Sequence, residues 1–336
     1  MKKNIIIGLV ISGVCIYFAS RGINFSEVGQ SLKSANYIYI LPVLFFVIFS
    51  HFLRCYRWGI IVNSLVNYDQ KTVFILGSIG FMAVGVLPAR LGEFVRPYLV
   101  KQRSGISMSS TMATIIVERV FDLLALMIVL FVVVMKIPLP PEIFKAGITM
   151  ITIAFFLFLL LIFLAVKKDF SLNKIDALLR VVPQRMQKPL SSLSHSFIEG
   201  LQLLPDVKKT LYVGFLSFLI WIVVGISSYM LFFAFGFKLS LINAYAILVI
   251  VALGVMLPAA PGFVGTYHYA CVLGLTSFGI AKSEAFSYAV AIHFLQMVPV
   301  IALGLIFLPF QKLSLVNFIR KEEDEVEKEG LKKQGH

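Results

Sequence analysis

Apolar runs long enough to cross a bilayer recur along the chain. A spanning helix needs about 20 mostly apolar residues, and runs of that kind cover 4–21, 37–57, 110–135, 146–166, 210–236 and 283–309. Two further runs, 71–87 and 242–257, are shorter, and each stops at a proline, Pro88 and Pro258. A glycine-containing turn and a more weakly apolar stretch follow each proline, over 91–104 and 262–279. Short hydrophobic segments interrupted by Pro and Gly read as re-entrant half-helices rather than spans. The expected fold class is an all-α polytopic membrane protein with about six full spans plus two re-entrant broken helical hairpins.

Composition narrows this further. Of the 336 residues 59% are apolar and only 14% charged, with a mean hydropathy of +0.92. Soluble domains carry roughly 25% charged residues and cannot hide so much apolar surface. An ordinary soluble enzyme and a nucleic-acid-binding domain are thereby excluded, despite the formal net charge of +13. The basic residues lie between the apolar runs. With six spans and a cytoplasmic N-terminus, only Arg21, Lys33, Lys136, Lys145, Lys238 and Lys282 fall outside and Arg119 falls within a span; the rest of the 30 lie inside. Positive-inside asymmetry therefore predicts that both termini are cytoplasmic.

The first 20 residues, with Lys2, Lys3 and an apolar stretch from Ile5 to Ala19, read either as a signal peptide with a weak cleavage site at Phe18-Ala19-Ser20 or as an uncleaved first span. An uncleaved span is the more economical reading in so apolar a chain. The expected layout is one transmembrane domain over 1–312 and a charged cytoplasmic tail over 313–336. Within the domain, 167–209 is the one long internal loop. Its apolar positions Phe170, Leu172, Ile175, Leu178, Leu179 and Val182 recur at helical spacing with Lys174 and Arg180 between them. A helix on the cytoplasmic leaflet and a solvated linker helix both fit. Cys15, Cys55 and Cys271 are too far apart for a metal site and read as apolar packing residues.

Leu87-Pro88-Ala89 and Gly92 align at one constant offset with Leu257-Pro258-Ala259 and Gly262. Gly105-Ile106 aligns with Gly279-Ile280, which sets Arg119 opposite His293 and Asp122 opposite Gln296. Span, broken hairpin and span thus repeat over about 37–137 and 210–310. The first hairpin would enter from the cytoplasm and the second from outside. An inverted repeat with interrupted helices is a transporter design, with its substrate site where the repeats meet.

The chemistry gathers at three places. The first break carries Arg90, Gly92, Glu93 and Arg96, with Glu93 and Arg96 three apart and so on one helical face. A half-helix starting near Gly92 or Gly262 offers free N–H groups to an anion; an interfacial loop with snorkelling arginines is the plainer alternative. The span 110–135 contains Glu118, Arg119 and Asp122, with both acids on one face. Ionisable groups at such depth face a bundle interior or a polar cavity; here they either serve a substrate or pin helices together, with Arg119 neutralising both acids. In the second half His268 follows the break and His293 lies in the last span, each a polar packing residue or a proton carrier. Arg54, Arg57 and Trp58 end the second span and read first as an interfacial anchor, and His51 as a helix-end polar residue. No motif for zinc proteases, P-loops, serine hydrolases or dithiol redox chemistry occurs. No catalytic residue, metal or cofactor is expected.

Three stretches in this order, Leu-Pro-Ala-Arg-Leu-Gly-Glu-Phe-Val-Arg (87–96), Val-Glu-Arg-Val-Phe-Asp (117–122) and Pro-Ala-Ala-Pro-Gly-Phe-Val-Gly (258–265), resemble the lysylphosphatidylglycerol synthase transmembrane, or flippase-like, family, over about residues 5–312. That family includes the membrane half of the bacterial multiple peptide resistance factor. The resemblance implies a lipid transporter of flippase or scramblase type, moving a phosphate-bearing lipid such as an aminoacylated phosphatidylglycerol or a polyprenyl phosphate. It also implies a homodimer as one assembly. The transferase domain that follows the membrane region in the full synthase has no counterpart before His336. On this reading Arg90, Arg96 and Arg119 hold phosphate, while Glu93, Glu118 and Asp122 balance charge. The competing reading is a membrane-embedded enzyme or accessory subunit of lipid synthesis, with Glu118, Asp122 and His293 as acid–base groups.

Overall fold

The computed structural model describes residues 2–137, 141–256 and 260–311, and among them helices and turns are the only regular structure. The charged tail and Pro258 lie outside the described residues. Four helical stretches are long and apolar enough to cross a membrane: Tyr37–Val62, Phe144–Val166, Val207–Ala234 and Lys282–Phe310. A fifth span results if α1 (Lys2–Ser20) and α2 (Phe25–Ser34), bent by 80° at the break between them, count as one. The chain is a polytopic membrane protein.

Most of the long helices fall where the apolar runs put them. Helix α3 (Ile40–Val62), led in by a 3-10 turn at Tyr37–Tyr39, continues past the expected end at 57. Helix α6 (Met108–Val134) starts at Ser107, whose hydroxyl accepts the Ser110 amide at 3.0 Å. Its 27 residues extend about 40 Å at 1.5 Å per residue. Glu118, Arg119 and Asp122 interrupt its apolarity. Helices α7 (Pro141–Val166), α10 (Val207–Ala234) and α13 (Lys282–Phe307) complete the long set.

Both short runs form half-length helices that break where expected. Helix α4 (Gln70–Val86) ends in a 3-10 segment, Pro88–Phe94, before α5 (Val95–Ser104). Helix α11 (Leu241–Gly254) is followed by a 3-10 turn, Pro261–Phe263, before α12 (Thr266–Ser277). The second half-helices therefore start at Val95 and Thr266, later than the expected Gly92 and Gly262. At the first break the tight segment folds back onto α4, so a Cβ on Gly92 would collide with the backbone of Ala83 and Val84.

Helix directions follow from the contacts. The Asn36 amide donates to Ala234 O at one end of the α3–α10 pair, and Arg57 meets Ser217 further along, so α3 and α10 are antiparallel. Helices α4 and α13 are also antiparallel, with Gly304 against Ser78 and Met82, and Gly85 beside Met297. The two breaks touch: Gly262 packs near Gly85 O, with Met297 beside both.

Helix α1 belongs to this core. The Ser12 hydroxyl accepts the Ala260 amide at 2.6 Å, supplying a partner where the broken helix cannot. The Lys282 ammonium donates to Phe18 O and Arg21 O at the end of α1, at 3.0 and 2.8 Å. The internal loop is two helices rather than one, α8 (Lys168–Leu179) and α9 (Gln184–Glu199), paired as a hairpin and seated on α6 through α9.

Candidate functional site

Where α3, α5, α6 and α10 meet, the structure buries two carboxylates between two guanidinium groups. Arg57 of α3 donates through Nη1 to Asp122 Oδ1 at 2.5 Å and to Ser217 Oγ at 2.6 Å. Its Nη2 donates to Asp122 Oδ2 and Glu118 Oε1, both at 3.3 Å. Arg96 of α5 donates through Nη1 to Glu118 Oε2 at 2.6 Å. Trp221 of α10 adds its indole N–H to Asp122 Oδ1 at 3.2 Å. Arg57, Arg96 and Glu118 have no solvent exposure and Asp122 very little. Charges this deep persist only when paired and hydrogen-bonded.

The packing around Arg96 explains two residue choices. Its Nε and Nη2 are buried without a hydrogen-bond partner. The guanidinium lies instead over the rings of Phe81 and Trp58, 4.7 and 5.1 Å from their centroids, where the negative ring faces receive the charge. Its stem runs against α4 at Gly80, where a Cβ would overlap Arg96 Cγ.

Two more arginines border this core at partial exposure. Arg54, one turn before Arg57, lies over the Trp221 ring at 5.4 Å. Arg119 retains 40% side-chain exposure and approaches Asp122 Oδ2 only at 3.6 Å, through an i,i+3 relation along α6. Arg54 forms no ion pair among the described residues. Four arginines thus gather around two acids, an excess of positive charge beside the buried core.

This revises the roles expected from sequence. Arg57 and Arg96, rather than Arg119, neutralise the acids. Arg57 is no interfacial anchor, because α3 continues to Val62 and carries it inside the bundle. Arg96 pairs with Glu118 and not with Glu93, which sits half-buried in the 3-10 segment before α5. His51 is buried mid-helix, with Nε2 2.9 Å from Ser78 Oγ and its ring edge-on to Phe74 and Phe81. Arg90 is described by its backbone only, within Pro88–Phe94.

The second break has a neutral counterpart. His293 Nε2 lies 2.7 Å from Gly262 O; a carbonyl only accepts, so this nitrogen carries the proton. The Gly265 amide donates to His268 Nδ1 at 3.5 Å, and the Tyr267 hydroxyl to Gln296 Oε1 at 3.0 Å. The His293 ring is 4.7 Å from Tyr267 and 4.8 Å from His268. His268, His293 and Gly262 are therefore brought together, but on a separate framework from the arginines.

The chain matches the family model described as the lysylphosphatidylglycerol synthase TM region over residues 5–304. It belongs to that family. Among curated relatives, a UPF0104 membrane protein of Methanothermobacter thermautotrophicus is 25% identical over 326 residues, 91% of this chain and 94% of the relative. A UPF0104 membrane protein of Methanocaldococcus jannaschii is 27% identical over 227 residues, 66% of this chain and 90% of its own length. The glycosyltransferase AglD of Haloferax volcanii is 34% identical over 127 residues, which are 37% of this chain and 20% of AglD. No solved structure matches the chain significantly. The family is defined here by its membrane region, and these relatives are archaeal.

Proposed function

We propose that this member of the family moves a phosphate-bearing lipid, such as an aminoacylated phosphatidylglycerol or a polyprenyl phosphate, between the leaflets of a prokaryotic cell membrane. The observation that carries this reading is the arginine surplus. With Glu118 and Asp122 already taken by Arg57 and Arg96, Arg54 over Trp221 and Arg119 beside Asp122 remain as the partly exposed cations of the site. A guanidinium grips phosphate through a planar two-donor fork, and cations at membrane depth mark substrate paths. The headgroup would dwell at Arg54 and Arg119 while the acyl chains stay in lipid.

The helix arrangement supports the same reading. Three of the helix contacts of one half have counterparts in the other: α3 against α13 and α10 against α6, α4 against α13 and α11 against α6, α5 against α6 and α12 against α13. The α3–α10 pair and the touching breaks lie on the exchange axis. With α3 and α10 antiparallel, these pairings support the reading of two inverted repeats, each with a re-entrant hairpin, an arrangement that gives access from either side. Both termini then face the cytoplasm by the distribution of basic residues.

A second reading has one observation in its favour, the partial match to a glycosyltransferase: the chain would be a membrane-embedded enzyme or accessory subunit of lipid synthesis. Glu118 and Asp122 suit acid–base work poorly while held by two guanidinium groups, which leaves the His268–His293 pair. In liposomes the transporter redistributes fluorescent phosphatidylglycerol, lysyl-phosphatidylglycerol or polyprenyl-phosphate analogues between leaflets and makes no new lipid. A new lipid species formed from a supplied donor would favour the enzyme.

A further inference from the structure

Helix α8 has two opposed faces. One is covered by α9: Asp176 accepts Ser191 Oγ at 2.7 Å and lies 3.0 Å from His195 Nε2, and Ser171 is buried. The other presents Phe170, Lys174 and Leu178, spaced at four residues and so stacked along one side of the helix, and the turn that follows adds Val181. Phe170, Leu178 and Val181 are 53%, 71% and 89% exposed. Stripes of large apolar side chains that the fold itself leaves open mark a contact surface.

What covers this stripe follows from the helix before it. Helix α7 is among the most apolar in the chain, only 12% of its spanning window is buried, and it therefore faces lipid along most of its surface. Helix α8 starts directly after it, at a non-helical Lys167. The Phe170 ring then packs edge-on to Phe163 of the lipid-facing α7 side, 6.2 Å between centroids. The apolar stripe is thus continuous with a lipid-facing surface and emerges at the level where α7 leaves the bilayer. Lys174 reaches back over the Phe170 ring, its ammonium 5.6 Å from the centroid, in the posture of a side chain that lays its stem on apolar surface and keeps its charge at the headgroups. Lys167, Lys168 and Arg180 add positive charge at the two ends of the helix.

We propose that the open face of α8 and the turn after it dock onto the anionic phospholipid leaflet at which α7 ends, with Phe170, Leu178 and Val181 in the acyl boundary and Lys167, Lys174 and Arg180 against the lipid phosphates. An amphipathic helix with a basic rim binds an interface through buried apolar area and attraction to anionic headgroups together. The α8–α9 hairpin would then read the charge of the surrounding leaflet, independently of whether the protein transports lipid.

Hydrogen exchange of the full-length protein in nanodiscs tests this. Discs of phosphatidylcholine alone are compared with discs containing phosphatidylglycerol, at low and high salt. The α8 amides should exchange more slowly in the anionic discs, on the order of tenfold, and lose the difference at high salt. The charge-reversal variant Lys174→Glu/Arg180→Glu should abolish the lipid dependence while leaving α9 and the long helices protected. Phe170→Asp/Leu178→Asp should expose α8 in both kinds of disc. Equal exchange in both discs for the unaltered protein would overturn the proposal. So would protection that persists in detergent and rises with protein concentration, which would assign the face to a second copy of the chain.

Discussion

Arg57 and Asp122 share two charge-assisted hydrogen bonds, at 2.5 and 3.3 Å, across the contact between α3 and α6. Removing one partner of a buried pair leaves the other charge uncompensated and costs about 3–5 kcal/mol. Arg57→Ala should therefore lower stability to denaturant in detergent by about that amount. Arg119→Ala, which removes a 40%-exposed partner at 3.6 Å, should cost less than ~1 kcal/mol. Equal losses for the two variants would contradict the assignment of Arg57 as the structural cation.

The two glycines of the first hairpin make a sharper demand on space. Gly92→Ala places a methyl into the backbone of Ala83 and Val84, and Gly80→Ala places one into the stem of Arg96. Size-exclusion profiles should show a large loss of monodisperse protein for the first and a smaller loss for the second, whose obstacle is a side chain. Gly13→Ala, which meets nothing within 4 Å, should behave as the unaltered protein.

Four of the six expected spans and both breaks are legible in the sequence, because lipid imposes a length on apolar runs and the prolines cannot continue a helix. Glu118, Asp122 and Arg96 stood out as charges in or beside such runs. Arg57 and Arg54 did not, since the second run was ended at 57, where arginines are ordinary anchors. The signal was available: Trp58-Gly59-Ile60-Ile61-Val62 carries the apolar pattern five residues further, which places Arg57 inside the helix. The partners of each charge were beyond reach, because which helices meet depends on tertiary packing and not on spacing. The same limit hid Ser12, an ordinary hydroxyl in an apolar run until α1 is seen against the second break.

Ser12→Ala removes the acceptor of the partly buried Ala260 amide, at a cost of about 1 kcal/mol, the lower end of the range for an orphaned donor. Faster hydrogen exchange around 260–265, with the first break unaffected, is the expected signature. Unchanged exchange there would mean that α1 does not support the second break.

The α8–α9 hairpin should open in acid. Hydrogen bonds from Ser191 and His195 hold the Asp176 carboxyl below the usual aspartate range. A carboxyl whose folded-state pKa is depressed adds stability above its unfolded value, ~3.9, and loses it as pH falls through the lower folded value. Exchange of α8 and α9 amides should stay constant from pH 7 to about 5 after correction for intrinsic rates, and rise relative to α6 below about 4. Asp176→Asn should flatten that rise.

The most direct test of the transport account is the rate of leaflet redistribution of a fluorescent phosphate-bearing lipid in liposomes, for the unaltered protein and for Arg54→Ala/Arg119→Ala. The account predicts redistribution by the unaltered protein and a loss on the order of tenfold or more in the variant, with thermal stability nearly unchanged, since neither arginine holds the buried acids together. Folded, inserted protein that moves none of the lipids, or a double variant as fast as the unaltered protein, would contradict it.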